Sequence, residues 1–300
     1  MNSERQETYT TEAVSSEIPS LADLPVYEGN VDEELRLLQR MARFNRSLAV
    51  RALLSGDLKN GTIALLQGIG FYRCWELPLV DHYFRPGPDT RILDVGSLKS
   101  FLPLYWALRG CQVTVIDIDP RVEIQKRYAH YLGRDDLLGN GLHIAVQDGT
   151  STDLDSSSFD LITNISAVEH FTGDGDIQFV QEAARLLKPG GRLFLSFGIG
   201  PEYREWRWEW LFCRTYNGPA LWNRLIEPSG LEVESTMYFE SGRTRQFSRL
   251  WYRFPLVVRN GVLGWLQRPI YQVLYRREHA TAGNAHYFGI VLRKGEGTES

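Results

Sequence analysis

Acids and a glycine stand at the end of three short apolar runs near the middle of the chain, or directly after them. The runs are Arg91–Val95, Gln112–Asp117 and Leu142–Val146. Gly96 follows the first run and permits a tight turn with close backbone approach to a ligand. A carboxylate about 20 residues later, at Asp117, is well placed to accept both hydroxyl hydrogens of a ribose. Asp148, after the third run, can meet the exocyclic amine of an adenine, so the pattern indicates a nucleoside-type ligand.

The elements that must position these residues alternate between strand and helix patterns. The further strand candidates are Phe159–Asn164, Arg192–Phe197, Leu231–Phe239 and Ala285–Leu292. The helical intervals are Phe101–Arg109, Arg121–Tyr131 and Asp174–Leu187, and the last is closed by Lys188-Pro189-Gly190-Gly191. This alternation implies crossover connections and a parallel sheet that is buried on both faces. Ligands of such sheets bind beyond the carboxyl ends of the strands.

The composition narrows the classes of protein. The chain has 300 residues, 43% of them hydrophobic, which is enough for a full-sized core. A net charge of -4 gives no overall attraction to nucleic acid. Three scattered cysteines are too few for a disulfide framework or a zinc site, and no acid or histidine cluster has metal-ligand spacing. With no secretory signal and no membrane span, we expect a cytoplasmic protein that is soluble or peripheral to a membrane.

The pattern along the chain predicts five segments. Residues 1–29 are expected to be a disordered tail and residues 30–88 a helical segment, followed by a core at 89–240, an insertion at 241–284 and a last strand with a tail at 285–300. The first helix is expected from Val31, with Asn30 and Glu33 spaced as a capping pair. A second helical stretch, Tyr72 to Tyr83, ends at Pro86-Gly87-Pro88.

Five stretches in the core resemble a known family. ILDVGS, the acid of VTVIDIDP, the acid of AVQDGT, SFDLITNISAVEHF and LLKPGGRLFLSF resemble the successive motifs of class I S-adenosylmethionine-dependent methyltransferases. The resemblance covers about Arg73 to Phe197, and Trp75-Glu76-Leu77-Pro78 is similar to a segment of some bacterial members. It implies S-adenosylmethionine as the cofactor. It also implies an α/β, doubly wound, Rossmann-like fold with a mostly parallel seven-stranded sheet and an antiparallel last strand.

The resemblance also assigns the cofactor site. Asp94 and Gly96 fall on the methionine-side turn, Asp117 at the ribose and Asp148 at the adenine, while Asn164 to Ser166 line the floor below the sulfonium. The predicted cofactor-binding residues are Asp94, Gly96, Ser97, Asp117, Ile118, Asp148, Gly149 and Asn164. Two of the carboxylates have a structural alternative, since Asp94 can brace the turn and Asp148 can be an ordinary turn residue.

The chain departs from the family pattern just after Gly96. Most members carry further glycines where this sequence has Leu98 and Ser100. A Cβ at Leu98 is expected to crowd the amino-acid portion of the cofactor unless the loop takes another path. Ser97 and Ser100 offer hydroxyls in compensation, and Lys99 can reach the cofactor carboxylate. The departure motivates an alternative function, a catalytically inactive binding or scaffold protein with the same fold.

The expected chemistry is methyl transfer to oxygen. Such a reaction needs an aligned acceptor and a base that titrates near neutrality. His170, in Ser166-Ala167-Val168-Glu169-His170, is the best candidate base, and the alternative is that the Glu-His pair only packs or caps the next helix. No Asn/Asp-Pro-Pro-Tyr/Phe or Pro-Cys pattern points to nucleic-acid bases, and an oxidoreductase would need a Gly-x-Gly-x-x-Gly turn. The expected acceptor is a small molecule, a sugar or a lipid.

The insertion holds the local basic charge. From Gly242 to Arg277 there are eight arginines, seven aromatic residues and no acid. One interpretation is peripheral membrane contact through residues 243–277, and the other is packing of the aromatic residues on the core with the arginines in solvent. The segment Tyr203–Trp210 is expected at the same rim, where its aromatic residues suit a partly apolar acceptor pocket.

Overall fold

A central β-sheet organises the computed structural model of this protein. The structure describes residues 20–67, 69, 73–208, 211–239, 246, 250, 253–254 and 285–296. Its strands are β1 (Arg91–Val95), β2 (Gln112–Asp117), β3 (Leu142–Val146), β4 (Phe159–Ile165), β5 (Leu187–Gly198), β6 (Arg204–Trp208), β7 (Leu211–Thr215), β8 (Glu232–Phe239) and β9 (Tyr287–Arg293).

Seven of these strands form one sheet in the order β3-β2-β1-β4-β5-β9-β8. Strands β1 to β5 pair in parallel, and β9 lies antiparallel between β5 and β8. The chain moves outward from β1 to β3 and then returns to place β4 on the other side of β1. The order therefore reverses between β1 and β4, and ligands of such sheets bind at this point, beyond the carboxyl ends of the strands. The predicted doubly wound seven-stranded sheet is confirmed.

The helices cover both faces of the sheet. They are α1 (Val31–Leu54), α2 (Leu58–Gln67), α3 (Arg73–Phe84), α4 (Leu102–Ala107), α5 (Ile124–Tyr131), α6 (Gly175–Leu186), α7 (Gly218–Leu221) and α8 (Glu227–Ser229), with a π-helical turn between the last two. Successive strand residues point to opposite faces. Ile92 accordingly joins a core with α1, α3, α4 and α5, whereas Leu93 joins a second core with α6 and α7.

The start of α1 follows the predicted cap in part. The Asn30 side-chain oxygen accepts from the Glu33 N–H at 3.1 Å, as expected of a capping residue. The reciprocal bond comes from the next residue, because the Asn30 N–H donates to Glu34 Oε1 at 3.0 Å. Glu33 instead places its carboxylate 3.2 Å from His82 of α3. The predicted partner of the cap was therefore wrong by one residue.

Residues 20–29, expected to be part of a disordered tail, follow the outer edge of β8. The Tyr27 N–H donates to the Thr236 carbonyl at 2.9 Å, and the Thr236 N–H donates to the Pro25 carbonyl at 2.7 Å. Tyr238 donates its hydroxyl to the Leu21 carbonyl at 2.7 Å. These bonds use backbone groups that an edge strand would otherwise leave exposed. The expectation for residues 20–29 was wrong, and residues 1–19 lie outside the described residues.

The Lys188–Gly191 segment was expected to be a helix stop and turn. The helix α6 ends just before it, and the segment bulges out at the start of β5, because Leu187 pairs with Phe159 and the next pair joins Arg192 to Leu161. The Gly190 N–H donates to the Lys294 carbonyl at 3.0 Å. The backbone of Gly190 has φ +73°, a conformation that glycine adopts at little cost. Gly190 thus suits the bulge between Leu187 and the regular part of β5.

The segment after β5 forms a β-hairpin, which the sequence analysis did not predict. Strands β6 and β7 pair antiparallel, and Arg214 of β7 is almost completely buried. Arg214 donates to the carbonyls of Phe171 and Gly173 and lies 3.3 Å from Asp176. A single guanidinium therefore fastens the hairpin to the loop that leaves β4.

Most of the predicted insertion, residues 241–284, lies outside the described residues, which include residues 246, 250, 253 and 254 of it. The predicted basic and aromatic surface of 243–277 falls in this segment and stays a prediction. In the part of the chain that the structure describes, none of the helices has the length and apolar character needed to cross a membrane.

Replacing Arg214 by Met is expected to destabilise the fold by about 3–5 kcal/mol, because it leaves a buried carboxylate and two carbonyls with fewer partners. The matched control is Arg204→Met in the same hairpin, whose ion pair with Glu202 is exposed and should contribute less than about 1 kcal/mol. Urea denaturation measures both. Equal midpoints for the two variants would contradict the buried-clamp role.

Candidate active site

The turn after β1 lies directly against the loop after β4. Gly96 has φ +78°, and its N–H donates to the Ile116 carbonyl at 2.9 Å. A Cβ built at Gly96 would lie 2.5 Å from the Ala167 Cβ, far inside van der Waals contact. Glycine is therefore required at this position by both the backbone conformation and the space.

Leu98 adopts a backbone conformation that usually belongs to glycine. Its φ is +45°, and its N–H donates to Asp117 Oδ2 at 2.9 Å. A non-glycine residue in this region carries strain of about 1–2 kcal/mol. Ser100, at the other missing glycine, accepts from the Leu102 N–H at 3.3 Å at the start of α4. The turn thus keeps a left-handed backbone at Leu98 despite the substitution.

The carboxylate of Asp117 is fixed at the end of β2. Besides the bond from Leu98, its Oδ1 accepts from the Asp119 N–H at 2.9 Å. Burial raises the pKa of Asp117, and the two backbone N–H groups oppose that rise. An ionised carboxylate has about four acceptor sites, so the two oxygens can still accept hydroxyl hydrogens from a ligand. Ile118, the next residue, is 73% exposed and presents an apolar side chain.

Asp94 connects two strands beneath the glycine turn. It is buried, and its Oδ1 accepts from the Thr163 hydroxyl of β4 at 2.8 Å. Burial raises the pKa of Asp94 to about 6. Ser97, on the turn, lies 3.4 Å from Gln125 Nε2. These contacts agree with a bracing role for Asp94, and its predicted cofactor contact stays a prediction.

Asp148 and Gly149 follow β3 and shape the next part of the edge. Asp148 Oδ1 accepts from the N–H and the hydroxyl of Thr150, at 2.9 and 2.8 Å, as in an ordinary turn. Gly149 is buried, and a Cβ there would lie 2.6 Å from Val95 Cγ1. Gly149 therefore allows the β3 exit to pack against β1, while the exposed Asp148 retains further acceptor capacity.

Asn164 leaves one polar atom unsatisfied at the floor of the cleft. The side chain is fully buried, and its Oδ1 accepts from the Val168 N–H at 2.8 Å. Its Nδ2 has no hydrogen-bond partner among the described residues and lies 3.9 Å from the place of a Cβ at Gly96. An unpaired buried amide costs about 1–3 kcal/mol. The amide donor is therefore uncommitted among the described residues, next to the Gly96 turn.

A buried polar network adjoins this floor, and the sequence analysis missed it. Glu76 of α3 accepts from the hydroxyls of Ser166 and Ser196, both at 2.7 Å, and pairs with Arg73 at 2.8 Å. The Ser166 hydroxyl also lies 2.6 Å from the Tyr287 hydroxyl of β9. Ser166 has φ +48°, a strained conformation of the kind found at functional sites. The available signal was the Trp75–Pro78 similarity.

Glu169 is a buried acid that belongs to the same network. Its Oε1 accepts from the Tyr287 hydroxyl at 3.4 Å, and its Oε2 has no partner among the described residues. Burial raises the pKa of Glu169 to about 8, and the nearby charge of Glu76 adds to the rise. Glu169 is therefore mostly protonated at neutral pH and can donate a hydrogen bond.

His170 is held by the hairpin in one tautomer. Its Nδ1 lies 2.8 Å from the Phe212 carbonyl of β7. Because a carbonyl only accepts, Nδ1 carries the hydrogen and Nε2 carries the lone pair. Burial lowers the pKa of His170, which keeps the ring neutral near pH 7. Its side chain is 37% exposed, and Nε2 lies 4.0 Å from Glu169 Oε1.

The site therefore combines two groups at one edge of the sheet. Gly96, Asp117 and Asn164 surround the space above β1 and β2, and the loop from Ser166 to His170 continues from it. The first group has the geometry to hold a ribose and polar ligand atoms. The second offers a neutral proton acceptor beside a neutral carboxylic acid. Asp148 lies at the end of β3, next to β2.

Comparison with known proteins supports a common family. Residues 93–195 match the family model described as a methyltransferase domain. The bifunctional biotin biosynthesis protein BioHC of Cellvibrio japonicus is 27% identical over 188 residues, which cover 60% of this chain and 35% of that protein. The ubiquinone biosynthesis O-methyltransferase of Xanthomonas axonopodis pv. citri is 36% identical over 111 residues, which cover 36% of this chain and 42% of that protein. The chain therefore spans less than half the length of these relatives.

Solved structures show the same fold at low sequence identity. The [4+2]-cyclase SpnF has a TM-score of 0.54 at 22% identity and covers 74% of this chain and 81% of its own. The geranyl diphosphate C-methyltransferase from Streptomyces coelicolor A3(2) has a TM-score of 0.52 at 16% identity and covers 79% and 84%.

Replacing Glu169 by Gln keeps the shape of the neutral acid and prevents ionisation. Because the folded pKa is about 8 against an ordinary 4.5, the stability gained from Glu169 is present below pH 4.5 and is lost as pH rises through 8. Between pH 6 and pH 9, we expect the free energy of unfolding of the variant to rise relative to that of the wild type by on the order of 2 kcal/mol. Urea denaturation at each pH measures the difference.

The control is Glu182→Gln. Arg185 and Thr152 lower the pKa of Glu182 to about 2, so the stability it contributes is fully present above its ordinary pKa. That variant should lose the same amount at every pH from 6 to 9. A constant difference for Glu169→Gln as well would show that Glu169 does not titrate in this range.

Proposed function

We propose that this chain, whose residues 93–195 match the methyltransferase-domain family model, is a class I enzyme that binds S-adenosylmethionine and methylates a hydroxyl oxygen of a small molecule, a sugar or a lipid. The observation that carries the proposal is the geometry of the turn at Gly96. Two residues later, the Leu98 N–H donates to the Asp117 carboxylate at 2.9 Å. The hydrogen bond fixes the Asp117 carboxylate, which would accept ribose hydroxyl hydrogens, beside the position of Gly96, where there is no room for a side chain.

The described residues fit the cofactor. Asp117 would accept the ribose hydroxyls, the exposed Ile118 would contact the adenine face, and Asp148 would accept from the adenine amine. The unpartnered Asn164 amide and the Gly96–Ser97 turn would hold the methionine end. When bound, the cofactor supplies an already activated methyl group, so the protein chiefly has to align the acceptor.

His170 is proposed to take the proton from the acceptor hydroxyl. Its Nε2 lone pair is kept available because the Phe212 carbonyl holds the hydrogen on Nδ1. The lowered pKa of His170 keeps the ring neutral and able to accept a proton. Glu169, protonated because burial raises its pKa, would donate a hydrogen bond to the acceptor.

Two features support an oxygen acceptor with an apolar part. One curated relative is named as an O-methyltransferase, an enzyme that methylates oxygen. On the hairpin, whose strand β7 contacts His170, the apolar side chain of Trp206 is 46% exposed. Peripheral membrane contact through residues 243–277 and a cytoplasmic location stay predictions.

The alternative is a binding or scaffold protein with the same fold and no catalysis. It was motivated by Leu98 and Ser100, which replace glycines of the family pattern. Leu98 nevertheless takes a left-handed backbone, and Asp117 still closes the turn. These observations favour an intact cofactor turn and remove the departure that motivated the alternative.

Binding of S-adenosylhomocysteine tests the cofactor site. We expect calorimetry to show binding that weakens at least about tenfold in Asp117→Asn, because a charge-assisted hydrogen bond contributes about 1.5–3 kcal/mol. Asp119→Asn is the matched control, since Asp119 pairs with Arg121, and its affinity should stay within about twofold. The proposal would be refuted if the wild type showed no binding at several hundred micromolar ligand. A dissociation constant of that size corresponds to a binding free energy on the order of 4–5 kcal/mol.

His170→Ala tests the base. With an acceptor found in a panel of phenols, sugars and polyprenyl alcohols, the release of S-adenosylhomocysteine should fall about 10²–10⁴-fold while its affinity is unchanged. The rate of the variant should recover towards high pH, where the acceptor ionises without help. Equal losses of rate and of cofactor affinity would instead indicate a structural role for His170.

A further inference from the structure

A pocket lies on the side of the sheet opposite the candidate cofactor site, near the amino ends of the central strands. It has a volume of about 480 Å³ and is bounded by α1, the end of α3, and α4 with the residues after it. Arg85 and Arg109, both in its wall, precede β1 and β2 in the chain, whereas Gly96 and Asp117 stand at the carboxyl side of these strands. Five strand residues separate the two edges by about 15 Å. The volume lies within the usual range of small-molecule sites.

The pocket carries an excess of positive charge. Its wall holds four arginines and two acids, and both acids are already paired. Asp81 accepts from Trp106 Nε1 at 2.8 Å and also pairs with Arg109. Glu33 pairs with Arg85 at 3.3 Å and lies 3.2 Å from His82. The acids are thus neutralised by neighbours within the same wall.

Arg36 and Arg40 supply the excess. They lie one helical turn apart on the exposed face of α1, which places the side chains on the same side of the helix. In the part of the chain that the structure describes, neither guanidinium has an ion pair or a side-chain hydrogen bond, and both border the pocket. Two adjacent guanidinium groups therefore face the same space with their donors uncommitted.

An aromatic wall lies beside these donors. The Arg109 guanidinium stands 5.7 Å from the centroid of the Tyr105 ring and donates to the Pro86 carbonyl at 3.1 Å. Burial raises the pKa of Tyr105, and the positive charges of Arg109 and Arg40 oppose that rise, so Arg40 acts on the same ring. The pocket therefore joins two guanidinium groups to a fixed cation–aromatic pair.

We propose that this pocket binds a small phosphorylated molecule, with Arg36 and Arg40 as its phosphate ligands. The planar guanidinium matches phosphate geometry with two parallel N–H donors, and two arginines on one face suit a diphosphate. The shared chemistry is a phosphate group, carried either by a free metabolite or by a lipid headgroup. The site is separate from the cofactor cleft, so this proposal does not depend on the proposed methyl transfer.

Calorimetric titration with inorganic pyrophosphate tests the free form. We expect binding to the full chain that weakens at least tenfold in the double variant Arg36→Gln/Arg40→Gln. The matched control is Arg43→Gln/Arg46→Gln, two exposed arginines on α1 that do not border the pocket, and its affinity should stay within twofold. Equal weakening in both double variants would show nonspecific charge attraction and would overturn the proposal.

Co-sedimentation with vesicles tests the headgroup form. Phosphatidic acid vesicles that bind the wild type but not Arg36→Gln/Arg40→Gln, with phosphatidylcholine vesicles inert, would assign the phosphate to a lipid. Absence of both pyrophosphate binding and Arg36/Arg40-dependent vesicle binding would overturn the proposal. The urea denaturation midpoint of each variant serves as the check of folding, since it should remain near the wild-type value whichever source of phosphate binds.

Discussion

The close approach of the β1 turn to the β4 exit sets the geometry of the whole cleft. Gly96 leaves no room for a Cβ because the Ala167 side chain already occupies that space. Two neighbouring strands therefore end in contact with each other, and the Asp117 carboxylate at the end of β2 stabilises the turn through the Leu98 N–H. The strand order reverses at this place, and these contacts fix the turn and the strand ends beside it.

The second half of the site depends on Glu76, which lies far from it in the sequence. Through two serine hydroxyls and Arg73, this carboxylate connects α3 to the ends of β4 and β5. The N-terminal helices are therefore part of the site as well as a cover for the sheet. Tyr287 joins the network from β9, so the chain contributes polar groups from four separate elements. The members of such a buried network hold one another in place, although Glu169 Oε2 has no partner among the described residues.

Much of the fold could be predicted from the sequence because buried parallel strands leave continuous apolar runs. The structure gives β1, β2 and β3 at their predicted residues, and β4 extends one residue beyond its prediction. The hairpin of β6 and β7 was missed because charged and aromatic residues alternate there without a turn signal. The packing of residues 20–29 on β8 was also missed, since a segment poor in large apolar groups gave no sign of backbone pairing more than 200 residues away.

The candidate site likewise contains residues that local sequence signals could predict and residues that they could not. Local signals, a glycine turn and acids at strand ends, placed Gly96 and Asp117 at the predicted edge. They could not distinguish a bracing acid from a ligand-binding one, and Asp94 proved to be bonded to Thr163 across two strands. The network around Glu76 arises from contacts between residues 90 and 120 positions apart, and the similarity of the Trp75–Pro78 segment pointed to Glu76 without naming its partners.

The central place of β9 has a consequence for synthesis of the protein. Strands β5 and β8 are separated by a strand that follows both of them in the chain. Until residues 287–293 have left the ribosome, the two strands each present an unpaired edge, and such edges invite intermolecular pairing. Insertion of β9 pairs both edges and brings Tyr287 into the polar network in the same step.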